Sequence, residues 1–130
     1  MTKFLRTRLY TVKSIRTCPI FCFGDEIMSV EINVTGEVVT AYLSGELDHH
    51  TAKEMRETID AAIELNMPTL VILDFKDITF MDSSGIGLVM GRYRLLQKTG
   101  ADLHITETPP NIYKAFRLSG IEKLAKLEGR

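Results

Sequence analysis

Two short stretches hold the residue types that could do chemistry, Phe80-Met81-Asp82-Ser83-Ser84-Gly85-Ile86-Gly87 and Gly45-Glu46-Leu47-Asp48-His49-His50. In the first, an apolar run over residues 69–75 gives way through two hydroxyls and two glycines to a longer apolar run over residues 86–96. Such a junction reads as a strand-to-helix turn, and turns of that kind carry function. A helix starting near Ser83 or Ser84 leaves its first N–H groups without partners of its own, and a serine there can cap one of them. The same end is the positive pole of the helix dipole, so a phosphate placed on a serine would meet free donors and a favourable field. Asp82 acts the other way, because a phosphoserine carries close to two negative charges and would crowd it. The plainest alternative makes Ser83 only an N-cap and the glycines only a means of tight helix–strand packing.

Other chemistries fit the residues less well. A serine hydrolase would need Ser83 as nucleophile, served by His49 or His50 and by Asp82 or Asp48. The G-x-S-x-G elbow is missing, nothing marks an oxyanion hole, and Asp82 is directly beside the serine, poorly placed to orient a histidine beyond it. A nucleotide site at Ser84-Gly85-Ile86-Gly87 lacks the lysine of a phosphate-binding loop, and position 90 is Met where G-x-G-x-x-G needs glycine. His49, His50 and His104 fall at no metal spacing, and Cys18 and Cys22 form a lone C-x3-C pair. The expectation is therefore no metal, no cofactor and a reducing compartment.

The elements that position these residues follow from periodicity. Residues 28–34 alternate, with Met28, Val30, Ile32 and Val34 apolar, as in a half-buried strand. Gly36-Glu37 turns the chain into a second strand over residues 38–44, which makes a hairpin. Residues 45–50 read as a polar loop. Thr51 and Glu54 then fit a capping box, and the helix that follows buries Met55, Ile59, Ala62 and Ile63 until Asn66-Met67-Pro68 stops it. Residues 69–75 are nearly continuous in apolar type, the mark of a central strand covered on both faces. The helix after Ser84 runs to Lys98, with Arg92, Arg94 and Lys98 suiting its C-terminal dipole, and Gly100 ends it. A strand over residues 102–106, a helix over residues 111–118 behind Pro109-Pro110, and a last strand or turn over residues 121–127 complete the chain. A hairpin followed by alternating strands and helices predicts one α/β domain, a mixed sheet of four or five strands with helices mainly on one face. The Ser83 junction then lies at the carboxyl end of a central strand.

Composition sets the outer bounds. The 130 residues suit a single domain with a real core. Residues 1–27 hold five basic and two acidic residues, and residues 28–130 hold eleven basic and fifteen acidic, so the patterned part is near −4. That balance argues against nucleic acid as partner. No apolar run approaches the ~20 residues that span a bilayer, and the short, proline-broken apolar stretch near Pro19 is no secretory signal. The predicted location is the cytoplasm. Because the pattern begins at Met28, residues 1–27 are expected to be a disordered extension or to lie upstream of the natural start.

The two motifs together, with Gly91-Arg92-Tyr93 just after the second, resemble the STAS-domain anti-sigma-factor antagonists, nearest the sporulation type, over residues 28 to about 127. The resemblance implies a switch. The unphosphorylated antagonist binds a serine kinase that uses ATP and doubles as anti-sigma factor, the sigma factor is released, phosphorylation ends the contact, and a serine phosphatase resets it. The phosphorylated serine falls on Ser83. Asp48, His49 and His50, with Asp82, Ser83, Ser84, Gly85, Ile86 and Gly87, correspond to the partner-binding surface. The alternative within the fold is a STAS module of a stress-signalling or transporter-associated complex; the His-His pair favours the sporulation type. Residues 1–27 have no counterpart in the family pattern, and the chain stops where sporulation antagonists continue into one more helix.

Overall fold

The computed structural model describes residues 8–11 and 28–129; Cys18, Cys22 and most of the 1–27 extension lie outside the described residues. In chain order the elements are β1 (Arg8–Thr11), β2 (Met28–Thr35), β3 (Val38–Leu47), α1 (His49–Asn66), β4 (Leu70–Met81), α2 (Ser83–Gln97), β5 (Asp102–Thr108), α3 (Pro110–Ser119), a 3-10 turn (Ile121–Lys123) and β6 (Lys126–Gly129). The predicted hairpin forms with Thr35 opposite Val38, and Gly36 at the turn has a left-handed φ of +61° that suits glycine.

The strands lie in sequence order, antiparallel from β1 to β3 and parallel from β3 to β6. Each crossover therefore steps the same way across the sheet. Since such crossovers are right-handed, α1, α2 and α3 all fall on one face. The predicted mixed sheet of four or five strands with helices mainly on one face is present as the five strands β2 to β6, and β1 adds a sixth strand at the outer edge of β2.

The core lies between that face and the helices. Val30, Ile32, Val34, Ala41, Leu43, Val71, Leu73, Phe75 and Ile105 are buried under Met55, Ile59 and Ile63 of α1, Leu88, Val89 and Leu96 of α2, and Phe116 of α3. The ring of Phe116 meets that of Phe75 edge-on at 5.3 Å, the favoured aromatic arrangement. One expectation needs correction. The central strand β4 is not covered on both faces: Val71, Leu73 and Phe75 are buried, but Leu70, Ile72 and Asp74 are only half-buried. Among the described residues α1, α2 and α3 lie on one side and no helix covers the other face.

Candidate functional site

The carboxyl ends of β3 and β4 come together as the site. Leu47 pairs with Met81 in parallel register, and Asp82 donates its N–H to the Leu47 carbonyl at 3.2 Å. One residue after each strand, a helix begins. Asp48 and Asp82 are the N-caps of α1 and α2, both with extended backbone, so two positive helix ends open side by side.

The cap identities differ from expectation. The strand β3 continues through Gly45-Glu46-Leu47, so that stretch is not a loop, and His49 and His50 are the first residues of α1. The capping box sits one turn earlier than predicted. Asp48 Oδ1 accepts from the N–H groups of His50 at 2.9 Å and Thr51 at 3.1 Å, and Thr51 Oγ1 accepts from Asp48 N–H at 3.1 Å while donating to the Glu46 carbonyl at 2.7 Å. A carboxylate accepts more strongly than a hydroxyl, so Asp48 takes the cap and Thr51 answers it from the third position. The backbone donation from Thr51 holds the Asp48 carboxyl below its ordinary value. His49 and His50 are exposed, with ring centroids 4.0 Å apart.

At the second helix end Asp82, not a serine, is the cap. Its Oδ1 accepts from Ser84 N–H at 2.7 Å, and its carbonyl accepts from Gly85 N–H at 2.9 Å. Ser83 is the first residue of α2, exposed, beside a carboxylate that already occupies the Ser84 donor. The two glycines part company. At Gly85 a β-carbon would collide with Cγ and Sδ of Met81 and lie 3.1 Å from Cδ2 of Leu47, whereas at Gly87 nothing lies within 4 Å. Tight helix–strand packing therefore belongs to Gly85, and the expectation of it at Gly87 is corrected: that residue is exposed. Ile86 is half-buried against the core.

Arg92, assigned from sequence to the dipole of α2, is instead buried. Its Nε lies 2.6 Å from Asp60 Oδ1 of α1, a close ionic contact off the hydrogen-bond line, while its guanidinium donates to Asp60 Oδ2 at 3.2 Å and to the Leu88 carbonyl at 3.1 Å. The pair ties together the two helices that present the site. Burial raises the Asp60 carboxyl above its ordinary value, against the pull of Arg92, and lowers that of the Arg92 guanidinium. The spacing of Gly85, Leu88, Val89, Arg92 and Leu96 placed position 92 on the buried stripe, so the signal was present.

Both carboxylates at the site accept from backbone N–H groups of their own helices through Oδ1, and among the described residues no hydrogen bond joins either of them to a histidine ring. No helix among the described residues is long and apolar enough to cross a membrane.

Comparison with known proteins adds the lineage. A family model described as STAS domain matches residues 29–129. The chain is 34% identical over 97 residues to the anti-sigma F factor antagonist of Paenibacillus polymyxa, covering 75% of this chain and 83% of that protein. It is 41% identical over 88 residues to the anti-sigma F factor antagonist of Lysinibacillus sphaericus, covering 68% and 75%. The solved unphosphorylated form of the anti-sigma factor antagonist SpoIIAA is similar at a TM-score of 0.66 and 37% identity, over 77% of this chain and 86% of that one. The solved phosphorylated form of the Bacillus cell fate determinant SpoIIAA is similar at 0.61 and 37%, over 77% and 89%.

Proposed function

We proceed from the fact that this chain belongs to the STAS domain family, and we propose that it is an anti-sigma-factor antagonist switched by phosphorylation of Ser83. The unphosphorylated protein binds an anti-sigma factor that is also a serine kinase, so that the sigma factor is released; phosphate on Ser83 ends the contact, and a serine phosphatase restores it. The binding surface is formed by Asp48, His49 and His50 with Asp82, Ser83, Ser84, Gly85, Ile86 and Gly87. These events take place in the cytoplasm, with the kinase transferring the phosphoryl group from ATP to the serine and leaving ADP, and this chain acting as substrate and ligand, not as enzyme.

One observation carries the reading: Ser83 is an exposed hydroxyl at the first position of α2, next to a capping carboxylate. A phosphoryl group there brings about −1.5 to −2 charges at pH 7. The adjacent backbone donor, the Ser84 N–H, is already held by Asp82. The added charge thus competes with Asp82 and projects toward the partner, so binding changes more than folding does. The names of the relatives favour this over a transporter-associated module.

The test is to incubate the protein with ATP and an ATP-using anti-sigma kinase and to locate phosphate by mass spectrometry. Phosphate on Ser83 in the parent and in Ser84→Ala, and none in Ser83→Ala, is the expected result. Phosphate on Ser84 instead would overturn the assignment.

A further inference from the structure

Phe80 is a large apolar side chain left 48% exposed, although its strand holds Phe75 fully buried. The register explains why. Against β3 the register of β4 shifts twice. The passage from Tyr42↔Asp74 to Ser44↔Asp77 moves the core side from the phase of Val71, Leu73 and Phe75 to Ile78, and the passage from Gly45↔Ile78 to Glu46↔Phe80 then leaves Thr79 as an extra residue. Side chains alternate along a strand, so without this bulge Phe80 would point to the core side with Ile78. The bulge turns Phe80 outward and brings Met81, opposite buried Leu47, toward the core.

The strand also stands clear of its other neighbour. Pairing of β4 with β5 ends at Asp74↔Thr106, while pairing with β3 continues to Leu47↔Met81. Beyond Asp74 the strand runs on beside β3 without β5. Its last two residues, Phe80 and Met81, pair with Glu46 and Leu47 past the last described β2 pair, Met28↔Gly45, so that Phe80 stands near the strand end three positions before Ser83. The other strongly exposed apolar side chains at helix ends, Leu65, Met67 and Leu118, lie by topology at the opposite end of the strands. Among the described residues, Glu46 opposite Phe80 and Asp77 and Thr79 along β4 are exposed, with the cation of Lys76 one residue further back.

We propose that Phe80 is the apolar anchor of the partner surface, inserting into an apolar pocket rimmed by lysine or arginine on the protein that docks over Ser83. This rests on the function proposed above and adds the residue that supplies most of the binding. An aromatic side chain ringed by polar groups is the usual form of an interface hot spot. The exposed carboxylates of Glu46 and Asp77 fit a basic rim and make association weaken with salt. Phosphate on Ser83 then adds negative charge at the margin of the seat that Phe80 occupies.

The experiment measures binding of the full chain to the anti-sigma kinase by calorimetry, with thermal unfolding of every variant. Phe80→Ala is expected to lose at least about 30-fold in affinity, the size of a hot spot, with its melting temperature kept. In the phosphorylation assay the same variant should raise KM and leave kcat near the parent's. Leu118→Ala, at the far end of the strands, should match the parent. Three results overturn the proposal. Phe80→Ala binding within about threefold of the parent, while the parent is phosphorylated on Ser83, removes the anchor and leaves the proposed function standing. A melting temperature lowered by more than about 5 °C in both Phe80→Ala and Phe80→Gln makes Phe80 a structural side chain. A parent that neither binds nor accepts phosphate removes the proposed function, and the anchor with it.

Discussion

Asp48 and Asp82 occupy equivalent places, one residue beyond adjacent parallel strands, and each spends its carboxylate on backbone N–H groups of the helix it starts. The Asp48 carboxyl is held below its ordinary value of 3.8. A depressed folded-state pKa contributes stability that is present above the unfolded value and lost as pH falls through the folded one. Asp48→Asn keeps a capping side chain but cannot titrate. The stability gap between parent and variant should therefore be largest near neutral pH and close as pH falls below 3.8, read from urea midpoints at a series of pH values. A gap that widens on acidification would contradict the capping account. Ser83 calls for a different readout. Ser83→Asp should unfold at a denaturant midpoint close to the parent's yet bind the kinase much more weakly, because the new charge faces outward beside Asp82. Unchanged affinity in that variant would argue against charge as the switch.

Between α2 and the ends of β3 and β4, close approach is concentrated at one position. Gly85→Val must displace Met81 and crowd Leu47, an overpacking that costs about 1–3 kcal/mol. Gly87→Ala meets open space on an exposed helix turn and should stabilise the fold by up to ~1 kcal/mol through helix propensity. Urea titration of the two variants separates these outcomes, and a Gly85→Val midpoint equal to the parent's would refute the packing account. The Arg92–Asp60 pair joins α1 to α2. Removing one partner strands the other, and Arg92→Ala should cost ~3 kcal/mol, the lower end for buried pairs because the Asp60 side chain keeps 28% exposure. Such a loss should be recovered in part by also changing Asp60 to Leu, since a stranded charge is removed.

Across the whole molecule, one sheet direction decides the architecture: every parallel crossover steps the same way, so the helices share a face and all three strand-to-helix turns point to one end. The short strand β1 covers the outer edge of β2, at the side of the sheet away from β5 and β6. A chain beginning at Met28 is expected to keep the β2–β6 fold and its partner affinity, because the Ser83 surface lies at the ends of β3 and β4. It should self-associate more readily, since the β2 edge is then an unpaired strand. Sedimentation velocity and partner calorimetry on that chain check both halves. A collapse of the melting temperature would show residues 1–27 to be structural.

The elements were legible in the sequence because their signals are local. Alternation marked β2, the spacing of Met55, Ile59, Ala62 and Ile63 marked the buried stripe of α1, and the Asp-Ser-Ser-Gly stretch marked a strand-to-helix junction, although β3 runs to Leu47 and β4 to Met81, past residues 44 and 75 at which the patterns ended them. What stayed hidden depends on neighbours distant in the chain. Thr51 read as a cap because sequence shows types, not which oxygen reaches which N–H; only the carboxylate geometry moved the cap to Asp48. Gly85 and Gly87 are alike in sequence, and they differ because Met81 and Leu47 lie against one alone. Arg92 falls on the buried stripe of α2 by spacing, but the partner that lets a cation be buried there, Asp60, comes from another helix. Phe80 carries the sharpest case: the run of Val71, Leu73 and Phe75 does not show the two register shifts against β3 that bring Ile78 to the core side and then leave Phe80 facing outward. Periodicity along one chain determines the elements, whereas register between strands and contact between helices, which no local pattern encodes, decide which side chains reach the surface.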